Sequence, residues 1–62
     1  MEYSFVIEMD GAIVRVISPV FAADPADARR QAEDWLTLVP TATRLLVLHR
    51  GDVLSTVAGA RH

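Results

Sequence analysis

Two carboxylates two residues apart, Glu8 and Asp10, are the first residues whose spacing suggests chemistry. On a strand, residues two apart share a face, the arrangement required for paired acid/base work or an oxygen-ligand metal site. No His or further Asp supplies a third ligand nearby, and acids beside a turn are ordinarily solvated. His49 is the histidine within the patterned region and imidazole is the usual catalytic base, but a base needs a nucleophile and an orienting group, and neither can be named beside it. Ser4, Ser18 and Ser55 lack the glycines of a nucleophile elbow. Gly11, Gly51 and Gly59 are scattered and cannot form a phosphate loop. Arg50-Gly51-Asp52 spells an adhesion tripeptide, yet the same residues are what a tight turn demands. With no cysteine there is no disulfide framework, thiolate metal site or thiol nucleophile. These residues point away from an enzyme, and they imply no cofactor and no metal.

The elements that would position these side chains follow from the apolar pattern. From Glu2 to Asp10 the residues alternate, with Tyr3, Phe5, Ile7 and Met9 on one face. Asp10-Gly11 suits a type I′ turn, because both central positions need positive φ. The expected hairpin sets Met9 against Ala12, Ile7 against Val14, Phe5 against Val16 and Tyr3 against Ser18. Strand two should end between Pro19 and Ala22. Asp24-Pro25-Ala26-Asp27 is a helix start: an N-cap acceptor, proline at the first position, and an acid where a capping box has one. Ala28, Ala32, Trp35, Leu36 and Val39 recur at helical spacing, and Pro40 stops the helix near Leu38. Arg29 and Arg30 stand at helical spacing from Glu33 and Asp34. Thr41 to Arg50 and Val53 to Ala58 read as a second hairpin about a Gly51-Asp52 loop, pairing Arg50 with Val53, Leu48 with Ser55 and Leu46 with Val57. Gly59 to His62 carries no pattern and is expected to fray. The fold class is therefore α+β: one domain over residues 1–62, ββαββ, with one amphipathic helix on a four-stranded antiparallel sheet of order 2-1-3-4.

With 62 residues, 52% of them hydrophobic and 23% charged, the chain must fold or associate, but its own core is small. One helix covers one sheet face. If Tyr3, Phe5, Ile7, Val14 and Val16 meet it, then Val6, Ile13 and Ile17 point away, joined by either Leu45, Val47 and Leu54 or Leu46, Leu48 and Val57. The expected interface is Tyr3, Val6, Ile13, Arg15, Ile17, Leu45, Val47 and Leu54, an apolar patch large enough to mark association. The partners expected are a second copy of the chain and another protein. Alternatives are a small-molecule site between subunits, lined by Tyr3 and Trp35, and a nucleic-acid surface along Arg15, Arg44 and Arg50. A formal charge of −2 opposes the last. No apolar run approaches the roughly 20 residues of a membrane helix and no export signal is visible, so a cytoplasmic location is expected.

The run Phe5 to Leu36, with Asp10-Gly11, a second strand, Pro19, and Ala26, Ala28, Ala32 and Trp35 in a helix, is similar in pattern to HicB-type antitoxins over about half the chain. Phe21-Ala22-Ala23 stands where that pattern has a glycine-containing segment. The resemblance implies a partial ribonuclease-H-like fold and a toxin-neutralising or other inhibitory role, and the interaction module expected from the apolar surface is an antitoxin-like or phage-type accessory regulator. It transfers no catalytic residue.

Overall fold

The structure, a computed structural model, describes residues 1–59. Strands β1 (Glu2–Met9) and β2 (Ala12–Phe21) form a hairpin, helix α1 (Pro25–Leu38) follows, and β3 (Arg44–His49) and β4 (Asp52–Ala58) form a second hairpin. The antiparallel sheet runs β2-β1-β3-β4, the expected order. β1 and β3 are central; β2 and β4 are the edges.

The helix begins where its capping chemistry dictates. The Asp24 carboxylate accepts from the Asp27 N–H at 2.8 Å, and the Asp27 carboxylate accepts from the Ala23 N–H at 3.0 Å. This reciprocal pair satisfies two donors otherwise unpaired at the helix start. The Ala23 N–H, and after it the Arg30 guanidinium, holds the Asp27 carboxyl below its ordinary value of 3.8. Ala28, Ala32 and Leu36 are buried, with Trp35 and Val39 packed at the margin of the core. Two alanines on the buried face let α1 approach the sheet closely, and it lies nearest β3 and β4.

Beneath the helix, Tyr3, Phe5, Ile7, Leu45 and Val47 are essentially fully buried. Leu45 pairs with Ile7 and Val47 with Phe5, so the two central strands present matched large residues to the helix. Thr43 locks one end of this pairing: its N–H and hydroxyl both reach the Glu8 carbonyl, at 2.8 and 3.2 Å, and its hydroxyl oxygen accepts from the Asp10 N–H. At the far end of β4, the Gly59 N–H donates to the Thr43 carbonyl at 2.9 Å. A Cβ at Gly59 would stand 2.2 Å from the Ala42 carbonyl oxygen, so the close approach needs glycine. Gly59 is thus tied to the sheet, and the rest of the tail expected to fray lies outside the described residues.

The register differs from the uninterrupted alternation expected of both hairpins. Asp10 and Gly11 form the expected turn, at φ 53° and 83°, with Met9 opposite Ala12 and Glu8 opposite Ile13. Ile7 then faces Arg15, so Val14 is an extra residue in β2, and Ser18 with Pro19 stands between the Phe5–Ile17 and Tyr3–Val20 pairs. In the second hairpin the turn residues are Arg50 and Gly51, at φ 54° and 85°, rather than Gly51 and Asp52. His49 pairs with Asp52, and Leu54 is the extra residue in β4. Each bulge resets which side chains share a face. All three interruptions fall on edge strands.

Candidate functional site: the uncovered sheet face

Because paired residues in a sheet share a face, the register assigns each side chain. Val16, Val6, Leu46 and Thr56 form one row across all four strands on the face away from α1. Ser4, Leu48 and Val53 continue the same face in the adjacent row, with Ser18 beside Ser4 and the two hydroxyls 2.9 Å apart. Ile13, Glu8, Arg44 and Ala58 form the row on the other side. Val16 and Val53 are each more than half exposed, and Val6, Leu46 and Leu48 are half-buried by their neighbours. The result is an apolar stripe with a charged margin on one side and a hydroxyl margin on the other.

The charged margin is an ion pair. Arg44 Nε lies 2.5 Å from Glu8 Oε1, and Glu8, only 8% exposed, is the buried charged residue among those described. Arg44 itself remains half exposed. The carboxylate is therefore engaged, and Asp10, two residues on, is a turn residue. Among the described residues no three His, Cys, Asp or Glu side chains converge on a point that could hold a metal ion.

The expected interface residues divide between the two faces. Val6 and Ile13 lie on the uncovered face. Tyr3, Leu45 and Val47 are instead core residues at 0–1% exposure, because β1 and β3 turn these positions toward the helix. Val14 as an extra residue rotates Arg15 and Ile17 to the helix side: Ile17 packs against the core, and the Arg15 guanidinium sits 5.8 Å from the Trp35 ring centroid. Leu54 is half exposed at the β4 bulge. The residues that occupy the stripe in their place are Val16, Leu46, Leu48 and Val53, and Phe21, 69% exposed opposite Glu2, extends the apolar surface along β2. Leu46 and Leu48 belonged to the other of the two sets permitted by alternation; Val16 was displaced to the wrong face by the unseen bulge.

The three arginines considered for nucleic acid are not brought together. Arg15 lies over Trp35, Arg44 is paired with Glu8, and Arg50 occupies the β3–β4 turn. Tyr3 and Trp35 are likewise apart in their contacts, since the aromatic neighbour of Tyr3 is His49, with ring centroids 5.2 Å apart. His49 Nδ1 lies 3.0 Å from the Glu2 carbonyl oxygen. Among the described residues no helix is long and apolar enough to cross a membrane. Comparison with known proteins finds no matching family model, no similar curated protein and no similar solved structure, so the reading of this face rests on its own geometry.

Proposed function

We propose that the chain is a non-enzymatic protein-interaction module that associates with a second copy of itself through the uncovered sheet face, and in that form binds or inhibits another protein in the cytoplasm. The observation that carries this reading is the stripe of Val16, Val6, Leu46, Leu48 and Val53, which crosses the strands with no described element above it. A two-fold contact places the same patch on both sides, so it must be self-complementary. This one is: its centre is apolar, and its charged margin is already neutralised internally by Glu8 and Arg44. The edges suit pairing less well. Bulges at Val14, at Ser18–Pro19 and at Leu54 interrupt the straight ladder that strand addition requires.

The face sets the scale of the interaction. The molecule is 30 Å along its longest axis, and four strands at about 4.8 Å spacing give a footprint of roughly 500 Å² per copy. Two copies would bury roughly 1,000 Å², the lower end of specific interfaces, so the dimer dissociates on dilution. Light scattering over a dilution series tests this. The expected result is a mass moving from two chains to one, with Val16→Glu plus Val53→Glu monomeric throughout and still folded by circular dichroism. A wild-type monomer at every concentration, or a double variant that still dimerises, overturns the reading.

A further inference from the structure

A cleft of about 450 Å³ opens at the end of the sheet where β1 begins and the β3–β4 turn projects, lined by Met1, Glu2, Tyr3, Ser4, Ser18, Pro19, His49, Arg50 and Gly51. Its size falls within the range of small-molecule sites. Three features of its polar groups stand out. Glu2 and Arg50 both line it, yet neither forms an ion pair with the other or with any described residue, so a negative and a positive group more than 4 Å apart face one space. The Tyr3 hydroxyl belongs to a residue only 1% exposed, and its partner is the Met1 sulfur at 3.5 Å, a weak acceptor. The Ser4 and Ser18 hydroxyls bond each other at 2.9 Å, which uses one hydrogen and leaves the second for another acceptor.

We propose that this cleft binds a small zwitterion carrying a carboxylate and an ammonium group, the chemistry of a free amino acid. The Arg50 guanidinium takes the carboxylate, assisted by the spare serine hydrogen, and the Glu2 carboxylate takes the ammonium. A simple anion would meet Glu2 and a simple cation would meet Arg50, so a ligand bearing both charges is preferred over either half. The Met1 and Pro19 side chains supply apolar surface for a side chain. Glu2, Ser4 and Ser18 lie at the end of the same sheet face as the stripe, so self-association is followed separately in the test.

The test uses the full chain and follows the His49 ring protons by NMR, with His62→Gln used to assign them, during titration with the standard amino acids one at a time and with acetate and methylammonium separately. The expected result is a saturable His49 shift with at least one amino acid and none with either half at the same concentration. Arg50→Gln and Glu2→Gln should each weaken binding about tenfold or more, whereas Arg50→Lys should retain part of it. Should Arg50→Gln fail to fold by circular dichroism, Glu2→Gln and Arg50→Lys carry the comparison alone. No saturable shift with any amino acid, equal binding of acetate, or affinity unchanged in the folded charge variants overturns the proposal. Light scattering in the same samples reports self-association separately.

Discussion

The two faces of the sheet are built from the same strands and similar residues, yet only one is a core. Leu45 and Leu46 are adjacent in sequence and identical in type, but Leu45 is completely buried under α1 and Leu46 sits half-covered on the opposite side. The difference lies in what covers each face rather than in composition. Among the described residues a single 14-residue helix supplies the cover, and its small buried residues, Ala28 and Ala32, let it seat tightly on one side. A sheet whose alternate positions are apolar on both sides behaves like the parallel sheets that are layered on both faces. Here the described residues supply a layer on one face alone.

The sharpest way to break the comparison is a large deletion on the covered side. Phe5→Ala should cost about 3–5 kcal/mol, enough to unfold much of a domain this small, as measured by urea denaturation. The pair of adjacent leucines comes next. Leu45→Ala should cost about 2–5 kcal/mol at any protein concentration, whereas Leu46→Ala should cost about 1 kcal/mol or less in dilute monomer and more as concentration rises. Equal, concentration-independent losses would abolish the distinction between the faces.

Smaller effects probe the margins. Gly59→Ala forces a methyl group against the Ala42 carbonyl and should destabilise by about 1–3 kcal/mol, read from thermal melts. Arg44→Ala leaves the Glu8 carboxylate without its partner on the uncovered face. Because Arg44 is half exposed and solvent screens the pair, the expected loss is about 1 kcal/mol, checked against the Glu8→Gln, Arg44→Ala double variant in a cycle. The smallest effect is on the helix that covers the inner face. Asp27 has a folded-state pKa below 3.8, so its contribution is present above that value and is lost as pH falls through the lower folded-state value. Asp27→Asn should therefore flatten the fall in stability at pH below 3.8 while leaving the uncovered face unaffected. An acid-unfolding curve identical to wild type would remove the carboxylate from the account.

Much of the architecture was legible in the residues because its signals are local. The helix runs from Pro25 to Leu38 as its cap, its spacing and Pro40 predict, and Asp10-Gly11 makes the turn that its φ requirement selects. The site was legible only in outline: that both faces would be apolar followed from composition and alternation, but the membership of each did not. Arg15 and Ile17 were expected outside and lie on the helix side, and Val16 was expected inside and lies out. The second turn also moved by one residue, since Arg50-Gly51 and Gly51-Asp52 are both acceptable turn pairs; the observed one, with the Leu54 bulge, sets Val57 opposite Leu45 in the core.

The residues by themselves determined the element order, the helix limits, the first turn and the presence of more apolar surface than one helix can cover. The tertiary structure decided which side chains form that surface, and it assembled the cleft from Glu2, Ser18 and Arg50, which are remote in sequence. The reason is that a bulge adds one residue without changing the local alternation. Its cost is small beside the gain from seating Ile17 and Val20 against the core, so the choice is made by contacts between strands and helix that no stretch of sequence contains.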